Sequence, residues 1–351
     1  MAYALSINAV PSVQIPDCAL DRLDLSPYNK TYSTVREVPM DKRKVIIDTD
    51  CGSDDAMAIA MALRDPAIDV LFLTTCAGNV GMEQATRNAL LTLEQAGSYA
   101  PPVYKGCDRP LLQPLSYAYE THGQDGMGDL GLAPQRLTPA PGHGVYQLLA
   151  ALRKHAPGTL EVVALGPLTN LALAIRLEPE TMARAKVIAI MGSAGLGVGN
   201  VTPLAEFNIW QDAEAAKVVL ESGLPLLMVG WDACLGDAML SPQDIQRLRE
   251  SGPLGRFVID TNRVLMEMNE ARFGQPCLDM ADPAAMAAAL YPDCRKVCDA
   301  YFCEVDVSPG IGYGAVVVDR NHFSGKPANV LLCSQLHADR FKDYLFRTLG
   351  A

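Results

Sequence analysis

The chain has 351 residues, of which 49% are hydrophobic and 20% charged, so it can bury a substantial core and should not be disordered over most of its length. The net charge is −11 and no lysine- or arginine-rich run stands out, which argues against a nucleic-acid-binding surface. No apolar stretch approaches the roughly 18–20 residues of a membrane span.

The N-terminal segment, residues 1–42, has little hydrophobic periodicity. We predict an irregular extension there, ahead of an α/β domain over residues 43–351. The first residues carry no basic segment and are interrupted by prolines, unlike a signal peptide, so we expect a cytoplasmic protein.

From residue 44 onward, short apolar runs alternate with helical segments. The predicted strands cover residues 44–49, 68–76, 102–106, 160–166, 186–192 and 224–232. The predicted helices cover residues 54–64, 81–96, 145–155, 168–177, 213–223, 253–270, 282–292 and 337–349, and one more begins at Ser241-Pro242. Residues 107–144 have no regular period and predict a loop excursion of the active-site type. Three further strands are predicted within residues 296–335.

This alternation favours a single large α/β domain. Continuously apolar strands predict a mostly parallel, doubly wound, Rossmann-like sheet covered by helices on both faces. The late strands predict a small antiparallel addition near the C-terminus.

The ten cysteines include several inside apolar runs, which indicates buried free thiols in a reducing compartment. A zinc site formed by Cys294, Cys298 and Cys303 is an alternative, although the group lacks CxxC spacing and a histidine partner.

Four aspartates, Asp48, Asp50, Asp54 and Asp55, crowd the junction between the first strand and the first helix. In doubly wound sheets, ligands bind at the carboxyl ends of the strands, where this junction lies. Carboxylates held close together need positive charge between them, and oxygen ligands favour Ca2+ or Mg2+ over zinc. The cluster therefore predicts a divalent-cation site.

Three other interpretations compete for this cluster. An EF-hand requires a glutamate at the twelfth loop position, which is Ile59 here, and a preceding helix. A dehalogenase-type phosphatase would use Asp48 as nucleophile and Asp50 as acid. Acidic helix caps would explain Asp54 and perhaps Asp55, but not the two earlier aspartates.

The sequence D-T-D-C-G-S-D-D-A over residues 48–56 resembles the signature of the nucleoside hydrolases of the inosine–uridine-preferring type. Further segments resemble that family's motifs in the same order; they are residues 75–79 (T-C-A-G-N), 121–126 (T-H-G-Q-D-G), 165–170 (L-G-P-L-T-N), 191–208 (M-G to E-F-N) and Asp282 before an alanine-rich helix. The resemblance implies a nucleoside hydrolase fold and activity.

The resemblance also implies roles for individual residues. The metal would be Ca2+, bound by the side chains of Asp50, Asp55 and Asp282 and by the main-chain carbonyl of Leu165. Substrate would be bound by Asp54, Asn79, Met191, Asn200, Glu206, Asn208 and Asp282. Asp48 would orient the loop. The metal would position the attacking water and lower its pKa, and Asp50 would accept the proton of that water as the general base.

The proton donor to the leaving base is not apparent, because the family's histidine before the late aspartate is replaced here by Ala281. His122 is a candidate contact to the base. Trp210 and Trp231 could stack on a base, but we expect both to pack in the core.

The expected function is hydrolysis of purine and/or pyrimidine ribonucleosides to free base and ribose. The resemblance implies a homodimer or homotetramer. The expected binding partner is a small-molecule ribonucleoside substrate, and we expect no nucleic-acid or membrane partner. Two alternatives stay open: a nucleoside- or ribose-binding protein that has lost catalysis, suggested by Ala281, and the phosphatase.

Overall fold

The computed structural model describes residues 42–351 of the protein. The predicted N-terminal extension, residues 1–42, lies outside the described residues except for its last residue. No helix within this described range has the length and apolar character that a membrane crossing requires.

The strands follow the predicted order closely. They are β1 (Arg43–Thr49), β2 (Ile68–Thr75), β3 (Val103–Lys105), β4 (Ala140–His143), β5 (Leu160–Ala164), β6 (Val187–Met191), β7 (Leu226–Val229), β8 (Arg295–Tyr301), β9 (Cys303–Val305), β10 (Val316–Val318) and β11 (Val330–Leu336). Most are short β-branched or leucine-rich runs, which favour the extended backbone of a buried sheet.

The helices fill the intervals between the strands. They are α1 (Ser53–Arg64), α2 (Met82–Ala96), α3 (Tyr119–His122), α4 (Gly144–Lys154), α5 (Thr169–Leu177), α6 (Pro179–Met182), α7 (Phe207–Gln211), α8 (Ala213–Leu220), α9 (Pro242–Glu250), α10 (Pro253–Asp260), α11 (Arg263–Phe273), α12 (Ala281–Leu290) and α13 (Ala338–Leu349).

Nine strands form one sheet in the order β4-β3-β2-β1-β5-β6-β7-β11-β8. Neighbouring strands are parallel from β4 through β11, and β8 closes the edge by pairing antiparallel with β11. Strands β9 and β10 form a separate antiparallel pair. The predicted α/β class, with a mostly parallel sheet and a small antiparallel addition, is confirmed.

The core lies on both faces of this sheet. Along β1, Val45 and Ile47 pack with α1, α2, α10, α12 and α13, whereas Ile46 between them packs with α4, α5 and α8. Successive side chains of a strand point to opposite faces, so continuous apolar strands are buried by two helical layers.

Four predicted elements differ from the structure. The first of the three strands predicted within residues 296–335 is two strands, β8 and β9. The excursion at residues 107–144 contains α3 and β4. The sequence of β4, A-P-G-H, has no strand-like pattern, so this strand depends on its pairing with β3. The helix predicted over 253–270 is two helices, because the side chain of Asn262 caps the first by donating to Val258 O. The strand predicted through residue 232 ends at Val229, and Trp231–Cys234 forms a 3-10 helix.

The nine cysteines within residues 42–351 are free thiols, and seven of them are buried. In this range, Cys294, Cys298 and Cys303 do not form a group with metal-ligand spacing. The zinc alternative is therefore wrong for the described part of the chain.

The order of the strands places a crevice beside β1. The chain adds β2, β3 and β4 on one side of β1, and then crosses to add β5, β6 and β7 on the other side. The loops after β1 and β5 thus diverge at a topological switch point, the position at which open α/β sheets bind ligands.

Candidate functional site

The aspartate cluster is built by the end of β1 and the start of α1. Asp50 lies in the connecting loop, and Asp54 and Asp55 occupy the first turn of the helix, where the helix dipole favours negative charge. Gly52 caps the helix, and its backbone N–H donates to Asp55 Oδ2 at 2.8 Å. All three aspartates are buried. The local sequence therefore fixes three carboxylates within one loop and one helical turn.

One carboxylate oxygen of Asp50 accepts a hydrogen bond, and the other has no hydrogen-bond partner within the described residues. Its Oδ2 accepts from the backbone N–H of Asn79 at 2.6 Å. Its Oδ1 is buried and has no hydrogen-bond partner within the described residues. A buried unpaired carboxylate oxygen is costly, so this atom is a position at which a ligand or ion would be stabilising.

Two glycines make the space for this carboxylate. A Cβ on Gly166 would lie 2.6 Å from Asp50 Oδ1, and a Cβ on Gly78 would lie 2.0 Å from Asp50 Oδ2. Both glycines belong to motif segments recognised in the sequence, at residues 75–79 and 165–170. The close approach of Asp50 explains why a larger residue does not fit at either position.

Replacing Gly166 with alanine should therefore reduce turnover, because Asp50 must shift away from the added methyl group. A displacement of about 1 Å at a reacting centre can lower a rate by about 100-fold. The measurement is kcat for nucleoside hydrolysis, the activity that the sequence resemblance implies. Gly81→Ala is the matched control, since its Cβ would meet Tyr117 only at 3.8 Å, an ordinary contact. Equal activity of Gly166→Ala and the control would show that the position of Asp50 is unimportant.

The late aspartate, Asp282, joins the cluster from the first turn of α12. Oxygens of Asp54, Asp55 and Asp282 lie within 4.8 Å of one another, an arrangement suited to one metal ion. The backbone N–H of Asp282 also donates to Asp54 Oδ2 at 3.4 Å. Residues more than 200 positions apart are thus brought together at the end of β1.

The electrostatics of this cluster favour a bound cation. Burial, followed by the neighbouring aspartate charges, raises the pKa of Asp50 and Asp282 well above the usual value and that of Asp55 to about 7. Ionised carboxylates at these positions repel one another and lack water. A divalent cation would stabilise the ionised forms, and the oxygen ligands suit a hard ion such as calcium.

The predicted main-chain ligand, Leu165 O, already accepts from Asn208 Nδ2 at 2.6 Å. A carbonyl oxygen has two lone pairs, so one remains for a cation. Asp55 is similarly engaged: it accepts from Thr49 Oγ1, from Gly52 N–H and from Asn79 Nδ2. These bonds fix the direction in which the remaining lone pairs point.

A cavity of about 750 Å³ opens above the cluster. Every residue predicted to bind substrate lines it; these residues are Asp54, Asn79, His122, Met191, Asn200, Glu206, Asn208 and Asp282. Leu165 also lines the cavity, whereas Asp50 and Asp55 are fully buried and do not. The predicted residues are therefore brought together from six separate chain segments.

Glu206 organises one wall of the cavity. It caps α7 and accepts from the backbone N–H groups of Asn208 at 2.8 Å and of Ser193 at 3.1 Å. Burial raises its pKa to about 7. Asn200 Oδ1 accepts from Phe207 N–H at 2.9 Å. The loop after β6 and the start of α7 are thus held together around the side chains predicted to bind the sugar.

His122 ends α3 and is buried against the first turn of α1. The backbone N–H of Ser53 donates to its Nδ1 at 3.3 Å, and Ser53 Oγ lies 2.8 Å from the same atom. Because Nδ1 is the acceptor, Nε2 carries the proton of the neutral ring. Burial lowers the pKa of His122, which favours that neutral form.

Several cavity residues gave no signal in the sequence. Tyr117 and Tyr119 stack on each other with ring centroids 4.8 Å apart, and both lie in the excursion without a period. Trp231 is buried in the core as predicted, but it also lines the cavity. Trp210 is only half-buried and lines the cavity, so the core prediction for this residue is wrong.

The comparisons with known proteins agree with this geometry. A family profile described as inosine-uridine preferring nucleoside hydrolase matches residues 45–343. The pyrimidine-specific ribonucleoside hydrolase RihB of Escherichia coli K12 is 35% identical over 86% of this chain and 95% of its own. An uncharacterized protein of Schizosaccharomyces pombe, C1683.06c, is 37% identical over 88% of this chain and 99% of its own.

Solved structures give the same result. The plant nucleoside hydrolase PpNRh1 aligns with a TM-score of 0.82 and 32% identity, covering 88% of this chain and 99% of that one. A purine-preferring ribonucleoside hydrolase from Gardnerella vaginalis aligns with a TM-score of 0.80 and 27% identity, covering 88% of this chain and 98% of that one.

Proposed function

Since this chain belongs to the inosine-uridine preferring nucleoside hydrolase family and is thus a nucleoside N-ribohydrolase, we propose that it uses Ca2+ and Asp50 to hydrolyse ribonucleosides to ribose and free base. The observation that carries the proposal is the open, buried oxygen of Asp50 among three further carboxylates, beneath a cavity at the switch point of the sheet.

The proposed cation ligands are the carboxylates of Asp50, Asp55 and Asp282 and the carbonyl oxygen of Leu165. Their oxygen chemistry and their unfavourable charge density support a hard divalent ion. When bound, calcium would supply a Lewis acid that positions the attacking water and lowers its pKa.

The chain's own residues supply the remaining steps. Asp50 accepts the proton of the water that attacks C1′ of the ribose, through the carboxylate oxygen that has no hydrogen-bond partner within the described residues. Cleavage of the bond to the base develops positive charge on the sugar ring. The carboxylates of Asp54 and Glu206 and the amide oxygens of the asparagines lie along the wall, where they stabilise that charge through the ribose hydroxyls.

The phosphatase alternative does not fit the structure. It requires Asp48 as a nucleophile, whereas the family whose profile matches this chain consists of nucleoside hydrolases. Asp48 Oδ1 accepts from Thr74 Oγ1 at 2.5 Å and from Asn170 Nδ2 at 2.7 Å. This arrangement supports the orienting role for Asp48. An EF-hand is also wrong, since a strand precedes the aspartates.

The base preference is proposed as purine and/or pyrimidine, since the similar proteins include a pyrimidine-specific and a purine-preferring hydrolase. The test is to incubate the purified protein and calcium with inosine, adenosine, uridine and cytidine, and to measure reducing sugar. Release of ribose from any of them supports the proposal. Calorimetric binding without release would support the alternative of a binding protein that has lost catalysis.

Assembly into a homodimer or homotetramer is also proposed, on the family resemblance alone. Light scattering coupled to size-exclusion chromatography would measure it.

A further inference from the structure

The leaving base needs a proton or a stabilising positive charge, because its ring nitrogen takes both electrons of the broken bond. Ala281 lines the cavity and offers neither. Apart from the residues assigned to the sugar and cation, the wall contains two carboxyl groups, Glu120 and Asp279. Glu120 is exposed to water, whereas Asp279 is 7% exposed. Asp279 is therefore the candidate acid that the described cavity encloses.

Asp279 is held in a fixed orientation from one side. Asn269 Nδ2, on α11, donates to Asp279 Oδ1 at 2.7 Å and to Cys277 O at 3.1 Å. Asn269 is completely buried, so water does not compete for its hydrogen bond to Asp279. The Asn269 side chain bonds to Oδ1, and no other side chain within residues 42–351 donates to Asp279 Oδ2. One oxygen is thus an acceptor for the protein, and the other remains available to carry a proton.

The surroundings of Asp279 allow that proton to be retained. Burial raises the pKa of Asp279, and the charge of Asp54 on α1 acts in the same direction. The hydrogen bond from Asn269 and the charge of Arg272, both on α11, act in the opposite direction. Cys277 in its own segment and Cys234 after β7 also face the carboxyl group, and both are thiols with raised pKa. A carboxyl group that burial helps to keep protonated can act as a general acid.

We propose that Asp279 donates the proton to the departing nucleobase, in the place of the histidine that this chain lacks at position 281. The inference rests on the proposed function of the site. The bond from C1′ to the base nitrogen breaks, its electron pair stays on the base, and the proton on Asp279 Oδ2 moves to the base. Water adds to C1′ and gives its proton to Asp50. Exchange with solvent returns a proton to Asp279 and removes one from Asp50, so the cycle balances.

The test compares two leaving groups. A nucleobase needs a proton in order to leave. The alternative substrate, 4-nitrophenyl β-D-ribofuranoside, releases 4-nitrophenolate, which is a stable anion and needs no proton. Asp279→Asn keeps the shape of the side chain but has no acidic proton. We expect kcat on inosine and uridine to fall by about 100-fold or more, and kcat on the nitrophenyl riboside to change by less than about threefold.

Controls separate the acid role from damage to the fold. Asp279→Glu, which keeps an acid, should retain more activity on nucleosides than Asp279→Asn. Asp237→Asn, at an exposed position in the segment after β7, should match the unaltered protein on both substrates. An equal loss on both substrates by Asp279→Asn, or no loss on nucleosides, would overturn the inference. Failure of the unaltered protein to cleave any nucleoside would instead overturn the proposed function.

Discussion

Replacing Asp50 with asparagine is expected to lower kcat for nucleoside hydrolysis by about 100- to 10,000-fold, the range that a positioned general base contributes. Asparagine has nearly the same size, so it fits between Gly78 and Gly166. Its oxygen can still accept from the Asn79 backbone N–H. Its amide, however, cannot take the proton of the attacking water, and it puts a neutral group beside the proposed cation site. The measurement is release of reducing sugar at saturating substrate.

The control for this experiment is Asp293→Asn, a loss of one exposed carboxylate outside the cavity, which should leave kcat unchanged. Circular dichroism of both variants would check that the fold is kept. If Asp50→Asn hydrolysed nucleosides as fast as the control, Asp50 would not be the base. Another residue would then have to activate the water.

Removal of calcium is expected to have the second large effect. A Lewis acid in the site contributes several kcal/mol to the transition state, which corresponds to about 100- to 1,000-fold in rate or more. Dialysis against a chelator should therefore reduce turnover to near background. Adding calcium back should restore it, because the cluster of Asp54, Asp55 and Asp282 stays in place through its own hydrogen bonds.

The chelated protein should also unfold at a lower temperature. A ligand present at 100 times its dissociation constant stabilises the folded state by about 2.7 kcal/mol. Asp55→Asn provides a matched comparison, since it removes a proposed ligand and should lose most of this thermal shift. Full activity in the presence of excess chelator would mean that the carboxylates act without a metal.

The fold can be predicted from the sequence wherever the residue pattern of a segment determines the structure of that segment. The apolar run of β1 and the acidic first turn of α1 are local signals, and both elements lie where they were predicted. Strand β4 has no such signal, because it forms only by pairing with β3. The break between α10 and α11 depends on Asn262, whose side chain bonds to Val258 O and, across the chain, to Ser53 O.

The site residues can be predicted from sequence motifs but not from hydrophobic periodicity. The motifs predict roles for residues from Asp50 to Asp282, and the structure places the predicted substrate-binding residues around one cavity, whereas Asp50 and Asp55 are buried and do not line it. The roles themselves remain predictions. Tyr117 and Asp279 were not predicted, and Trp210 was predicted to pack in the core, because an aromatic or acidic residue outside a motif has the same sequence pattern whether it faces the core, water or a cavity.

The central claim is the proposal that a divalent cation held by the buried carboxylates would also contribute to binding of the ribose hydroxyl groups. It is tested most directly by calorimetric binding of a non-hydrolysable nucleoside analogue, with and without calcium, beside its 2′,3′-dideoxy counterpart. Binding energies at two linked sites are coupled reciprocally. The account predicts that calcium tightens binding of the analogue that carries both hydroxyls and not of the dideoxy compound. Equal affinities with and without calcium would contradict it.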